Sequence, residues 1–204
     1  MYTKTRFISK KNQVHRVIED GKSYIEKIFY EPKNMEIEIE ILELLNKKGC
    51  NVPKIIKAYK NTLILEDLGD VTLLDWYEKA EREDSKSYEA MLKKLSQWMK
   101  AFYFVTKNYY KNDIMLGDVN FRNFIIKENE VFGIDFEEVN QGNVETDIGN
   151  LLAFAMTYYP ESKWKIDFSD KLMQILLTDL KLSEEVVIRE SENALIRIKN
   201  RRSV

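Results

Sequence analysis

Residues 114–150, IMLGDVNFRNFIIKENEVFGIDFEEVNQGNVETDIGN, constrain this chain more than any other stretch. Two carboxylates, Asp118 and Asp135, and one amide, Asn123, each stand beside an apolar run of strand type. Asp118 opens a short polar loop that closes at Asn123. Residues 123–127 form one strand-type run, 127–130 a polar turn, and 131–134 a second run that ends at Asp135. Two such runs joined by a short polar turn predict a hairpin whose open ends meet. That closure brings Asp118, Asn123 and Asp135 toward one point. Oxygen donors converging at a strand mouth suit a hard divalent cation, with one carboxylate left over as a base.

In residue type and in order, this stretch resembles the catalytic segment of the protein-kinase-like phosphotransferases. Gly117-Asp118 followed by Asn123 is similar to the H-G-D-x-x-x-x-N of aminoglycoside and choline kinases and to the protein-kinase catalytic loop. Ile134-Asp135-Phe136-Glu137 looks like the I-D-[FW]-E of those small-molecule kinases, and Asp147-Ile148 like the start of their next buried helix. Leu116 stands where the family carries a histidine. The resemblance implies an α+β, two-lobed fold: a small antiparallel N-terminal sheet with one helix, then a mostly helical C-terminal lobe. It implies a nucleotide-binding lobe over residues 1–68 and a catalytic and substrate lobe over 69–204. ATP and Mg2+ are the implied cofactors. Asp118 is then the base that accepts a hydroxyl proton, Asn123 and Asp135 hold the metal against the nucleotide, and Asp147 holds the catalytic-loop backbone.

The rest of the chain is consistent in size and character. Its 204 residues allow one large domain or two small lobes, and 44% hydrophobic residues are enough to bury a core. A net charge of −2 argues against a general nucleic-acid binder. The single cysteine, Cys50, excludes an internal disulfide framework and suits a reducing cytoplasm. MYTKTRFISKK at the start has no apolar run long enough for a signal peptide or a membrane span, so a cytoplasmic protein is expected. One histidine, His15, leaves no His-cluster metal site and argues against a Ser-His-Asp triad.

Residues 5–30 read as a small antiparallel sheet, turning at Asp20-Gly21. Lys27 lies on the return strand, where the resemblance implies the lysine that pairs with nucleotide phosphates; the plain alternative is a solvated strand lysine. The loop that should cover the phosphates, Ser9-Lys10-Lys11-Asn12-Gln13, has no glycine. Asn12 matches the looser small-molecule-kinase version, and Lys10 and Lys11 could meet phosphate by charge. Residues 34–48 are expected as a helix capped by Asn34, apolar through Ile37, Ile41, Leu44 and Leu45 and ended by Gly49. Glu38, through its spacing to Leu42 and Leu45, is the implied partner of Lys27; Glu36 and Glu40 stay open as alternatives. Thr62–Leu65 leads into Glu66-Asp67-Leu68-Gly69, which resembles the hinge whose backbone reads adenine, with a C=O near Glu66 and an N–H near Leu68.

Helices are expected over 72–83, 87–107, 147–158 (ended by Pro160), 171–180 and 184–202. The basic end of the last suits a helix C-terminus, or alternatively a docking surface for an acidic partner or RNA. The implied activity is transfer of the γ-phosphate of ATP to a hydroxyl of a small molecule or sugar. The short tail after Asp147 lacks the usual helical acceptor insertion, which keeps open a small atypical serine/threonine protein kinase, or an ATPase, within a complex. Leu116 and the glycine-free loop keep open a nucleotide-binding pseudokinase. A protein partner is possible in either case.

Overall fold

The computed structural model describes residues 2–9, 11–158 and 162–202. Its N-terminal part is one antiparallel sheet. Strands β1 (Tyr2–Phe7), β2 (Asn12–Glu19) and β3 (Lys22–Phe29) form a meander. After helix α1 (Pro32–Lys47), β4 (Ile55–Tyr59) and β5 (Thr62–Glu66) complete the order β1-β2-β3-β5-β4. The β2–β3 turn uses Asp20 and Gly21, both at positive φ, which suits the right-handed twist of a tight hairpin. The sheet begins at Tyr2, three residues before the expected start.

Helix α1 also starts early. Asn34 is not its cap: the helix begins at Pro32, and the capping Glu31 makes no side-chain bond. Proline presets the helical φ and lacks the N–H that a first turn leaves unbonded, so it starts the helix without a polar cap. The buried face of α1 carries Met35, Ile41, Leu42 and Leu45, together with one acid, Glu38.

The remainder is mostly helical. It comprises α2 (Leu73–Arg82), α3 (Glu89–Tyr110), α4 (Val144–Thr157), α5 (Lys163–Leu180) and α6 (Glu184–Arg202). Between α3 and α4 lie β6 (Ile114–Met115), β7 (Phe124–Lys127), β8 (Glu130–Gly133) and β9 (Asn140–Gln141). Thr72 and Asp75 form a reciprocal capping box on α2. Helix α5 starts eight residues before the expected position because Ser162 caps it, and Trp164 and Phe168 in the added turns are buried. Helix α4 ends at Thr157; Pro160 lies outside the described residues.

One apolar core runs through both parts, from Phe29, Leu42 and Leu63 to Phe102, Phe121, Phe136 and Leu172. Tyr77 is its aromatic hub. Its ring centroid lies 5.1 Å from Phe121, 5.2 Å from Trp164 and 4.8 Å from Phe168, and its hydroxyl donates to the Ala155 carbonyl at 2.6 Å. Aromatic contacts of this kind contribute ~0.5–1.5 kcal/mol each beyond burial. Here they fix the turn at Phe121 that leads into Asn123. Helices α4 and α6 approach closely at Gly149, where a Cβ would stand 2.6 Å from the Glu190 backbone. Among the described residues, no helix is long and apolar enough to cross a membrane.

Candidate active site

The loop bearing Asp118 is held from behind. Strands β6 and β9 pair at Ile114–Gln141 and Met115–Asn140, and the chain turns at Gly117 with φ +80°. A Cβ there would lie 2.3 Å from the Glu138 carbonyl oxygen, so only glycine allows this approach. The carboxylate of Asp147, wholly buried at the start of α4, accepts from the N–H groups of Leu116 at 2.5 Å and Gly117 at 3.1 Å, and from the Tyr103 hydroxyl at 2.9 Å. Burial pushes the Asp147 carboxyl up to about 6, against these three donors. Leu116 contributes a buried side chain to the core and its backbone N–H to Asp147.

Asp118 itself is exposed to solvent. Asn120 donates to its Oδ1 at 3.1 Å and accepts from the Arg122 N–H at 2.9 Å, tying the carboxylate to the next turn. The Asn123 amide donates to the Asp118 carbonyl at 2.8 Å, which identifies the amide nitrogen and leaves Oδ1 as the other end. The expected hairpin forms: Phe124 pairs with Gly133, and the Ile134 N–H reaches the Asn123 carbonyl at 3.0 Å. Asn123 therefore lies beside the residue preceding Asp135. Asp135 leaves β8 with φ +65°, a left-handed conformation that non-glycine residues adopt at a cost and that clusters at functional sites.

Lys27 reaches this point from β3. Its Nζ lies 2.5 Å from Glu38, 2.6 Å from Asp135 and 3.7 Å from Glu137. The lysine is buried, unlike a solvated strand lysine. Of the acids considered on α1, Glu38 faces inward, whereas Glu40 accepts from the Tyr110 hydroxyl. The carboxylates of Glu38, Asp135 and Glu137 all have oxygens within 4.8 Å of one another. One lysine among three acids leaves a negative excess. Burial, and to a lesser degree the charges of Asp135 and Glu137, push the Glu38 carboxyl upward, while the surrounding acids hold Lys27 protonated against its own burial. Asp135 and the amide oxygen of Asn123 both line the cleft and are hard oxygen donors of the kind a Mg2+ or Ca2+ ion takes.

Glu137 closes the I-D-F-E run, and the sequence alone assigns it no role. It sits two residues beyond Asp135 and accepts from the Asn12 amide. Asn12 is almost fully buried and its Oδ1 receives the Tyr30 N–H at 3.4 Å. Lys11 pairs with Glu138 at 2.5 Å; Lys10 lies outside the described residues. The glycine-free turn is thus anchored to the segment following Asp135.

At the segment expected to be the hinge, the Glu66 carboxylate pairs with Lys127 at 2.8 Å and accepts from the Lys54 N–H at 3.3 Å, tying β5 to β7. The buried Leu68 follows. Asp67 binds Arg16 and accepts from the Gly69 N–H at 3.0 Å. Lys27, Glu38, Glu66, Leu68, Asp118, Asn123 and Asp135 all line a single cleft of about 660 Å³. Its lining includes the apolar side chains Val14 and Ile25 from the sheet and Ile125 and Ile134 at the hairpin, which suit a flat ring, beside the charged groups named above.

The RIO domain family matches residues 2–168. Curated proteins give no match. Among solved structures, the fold is similar to an amicoumacin kinase solved with AMP-PNP and Ca2+ (TM-score 0.68, 14% identity, covering 87% of this chain and 72% of that one). It is also similar to an ethanolamine kinase of Plasmodium vivax (TM-score 0.61, 13% identity, 95% and 71%). A third is the aminoglycoside phosphotransferase APH(4)-Ia (TM-score 0.63, 10% identity, 98% and 91%). Identities this low speak for the fold alone, which is the kinase-like phosphotransferase fold. With the family match extending from the first strand into α5, the chain belongs to the RIO domain family.

Proposed function

We propose that this protein is an ATP-dependent phosphotransferase whose acceptor is a hydroxyl of a small molecule or sugar. The observation that carries this reading is the contact of Lys27 with both Glu38 and Asp135 in a cleft that also holds Asp118 and Asn123. The nucleotide would lie between residues 1–68 and 69–204, its base against Val14, Ile25 and Ile134 and read by the backbone near Glu66 and Leu68. Lys27, oriented by Glu38, would steady the phosphates. Mg2+ held by Asn123 and Asp135 would neutralise charge on the phosphates. Asp118, aimed by Asn120, would accept the proton of the attacking hydroxyl. Catalysis of this kind is mostly positioning and charge stabilisation. The lone cysteine fits a cytoplasmic setting.

The RIO domain match favours a second reading, a small atypical serine/threonine protein kinase or ATPase within a complex. The two differ in the acceptor and share the site. The test is incubation with γ-labelled ATP and Mg2+, following release of phosphate and transfer of label to hydroxyl compounds or to proteins. Wild type should release or transfer label and Asp118→Asn should not. Label on protein alone would favour the second reading, and no turnover with any acceptor or with water would leave a pseudokinase.

A further inference from the structure

We propose that Lys11 is a phosphate ligand held in reserve by Glu138, its ammonium passing from that carboxylate to the terminal phosphate when nucleotide binds. This rests on the reading of the cleft as an ATP site. The turn between β1 and β2 contains no glycine, so its backbone N–H groups are poorly placed to cradle phosphates at close range. A cation there can do the same work by charge. Lys11 lines the cleft together with Asp118, Asn123 and Asp135.

Its anchoring separates backbone from side chain. The neighbouring Asn12 is 3% exposed and bonded to Glu137 and to the Tyr30 N–H, so the main chain at Lys11 is fixed over the cleft. The Lys11 and Glu138 side chains are 51% and 41% exposed, and an ion pair so exposed contributes little net stability. A terminal phosphate offers more charge and several strong acceptors, and so outcompetes one solvated carboxylate. Glu138 also sits where its carbonyl packs on Gly117, beside Asp118. The ammonium is thereby parked next to the base, at the end of the cleft where a transferring phosphate must meet its acceptor.

The experiment is calorimetric titration of the full chain with ATP, ADP and AMP in Mg2+, comparing wild type, Lys11→Met and Glu138→Gln. Lys11→Met should weaken ATP about ten-fold or more, ADP less, and AMP not at all, because one charge-assisted contact to the terminal phosphate is lost. Glu138→Gln, which removes the competitor, should leave ATP binding unchanged or tighter. Equal weakening of all three nucleotides by Lys11→Met, or loss of ATP affinity in Glu138→Gln to match it, would make the pair a structural latch and overturn the proposal. Wild-type binding with an indifferent Lys11→Met overturns it alone. Failure of the wild type to bind any of the three overturns the ATP-site reading as well.

Discussion

Replacing Gly133 with alanine should strike the support of Asp135 from two residues away. A Cβ at Gly133 would stand 2.0, 2.4 and 2.7 Å from three ring carbons of Trp98, where contacts of ~3.5–4.0 Å are normal. The indole would have to retreat by roughly 1.5 Å or more. It has little room: it is 6% exposed, stacks on Phe102 and Phe136 at 5.8 and 6.2 Å, and donates to the Asn51 carbonyl at 2.8 Å. Overpacking plus loss of that hydrogen bond gives a destabilisation of ~2–4 kcal/mol. For a chain of this size the corresponding fall in melting temperature is about 5–15 °C. Equilibrium urea unfolding, followed by far-ultraviolet circular dichroism so that a change at Trp98 does not alter the signal, measures it. Trp98→Leu in the same chain should recover part of the loss, giving a coupling of at least ~0.5 kcal/mol. Gly142→Ala is the control, because the atoms nearest its Cβ belong to the flexible, unbranched side chain of Met115. A Gly133→Ala chain within ~0.5 kcal/mol of wild type, or one with no coupling to Trp98, would refute this packing.

Three further outcomes are expected. Asp147→Asn offers one acceptor where Leu116, Gly117 and Tyr103 use both oxygens, so stability should fall by ~1–3 kcal/mol in urea unfolding and turnover should fall with it; full activity would contradict the anchoring of the Asp118 loop. Because Asp147 is raised from 3.8 to about 6, the folded chain holds that proton more tightly than the unfolded chain, and its contribution to stability declines as pH rises through this window. The slope between these pH values should flatten in Asp147→Asn, and an unchanged slope would assign it to other groups. Lys27→Met strands three carboxylates, two of them buried, and should lower stability by ~3–5 kcal/mol as well as abolish activity; unaltered stability would mean that the acids are neutral without it.

The stretch from Asp118 to Asp135 stood out because its residue types follow one another in local order. Asn123 and Asp135 stand at the two open ends of one hairpin, whose register follows from short-range pattern, and Asp118 lies in the loop before it. Glu38 was legible because its spacing to Leu42 and Leu45 resembles that of the kinase family, and its carboxylate does meet Lys27. What was missed depends on contacts between distant segments. Asn12 with Glu137 and Lys11 with Glu138 join residues more than a hundred positions apart, and no periodicity marks them. The β6–β9 pairing was hidden because it involves only two residues on each strand. Helix starts went astray where two signals competed. At α1 proline outranked Asn34, and at α5 the Ser162 cap preceded a polar-looking turn whose Trp164 and Phe168 are buried by the Tyr77 cluster.

The proposed role of Asp135, with Asn123, in holding Mg2+ against a nucleotide beside Asp118 is tested most directly by titrating a non-hydrolysable ATP analogue into wild type and Asp135→Asn, each with and without Mg2+. Wild-type affinity should rise with Mg2+, and Asp135→Asn should lose that gain while remaining folded. A variant that keeps the full Mg2+ dependence, or a wild type that shows none, would contradict a metal-assisted phosphotransferase site at this cleft.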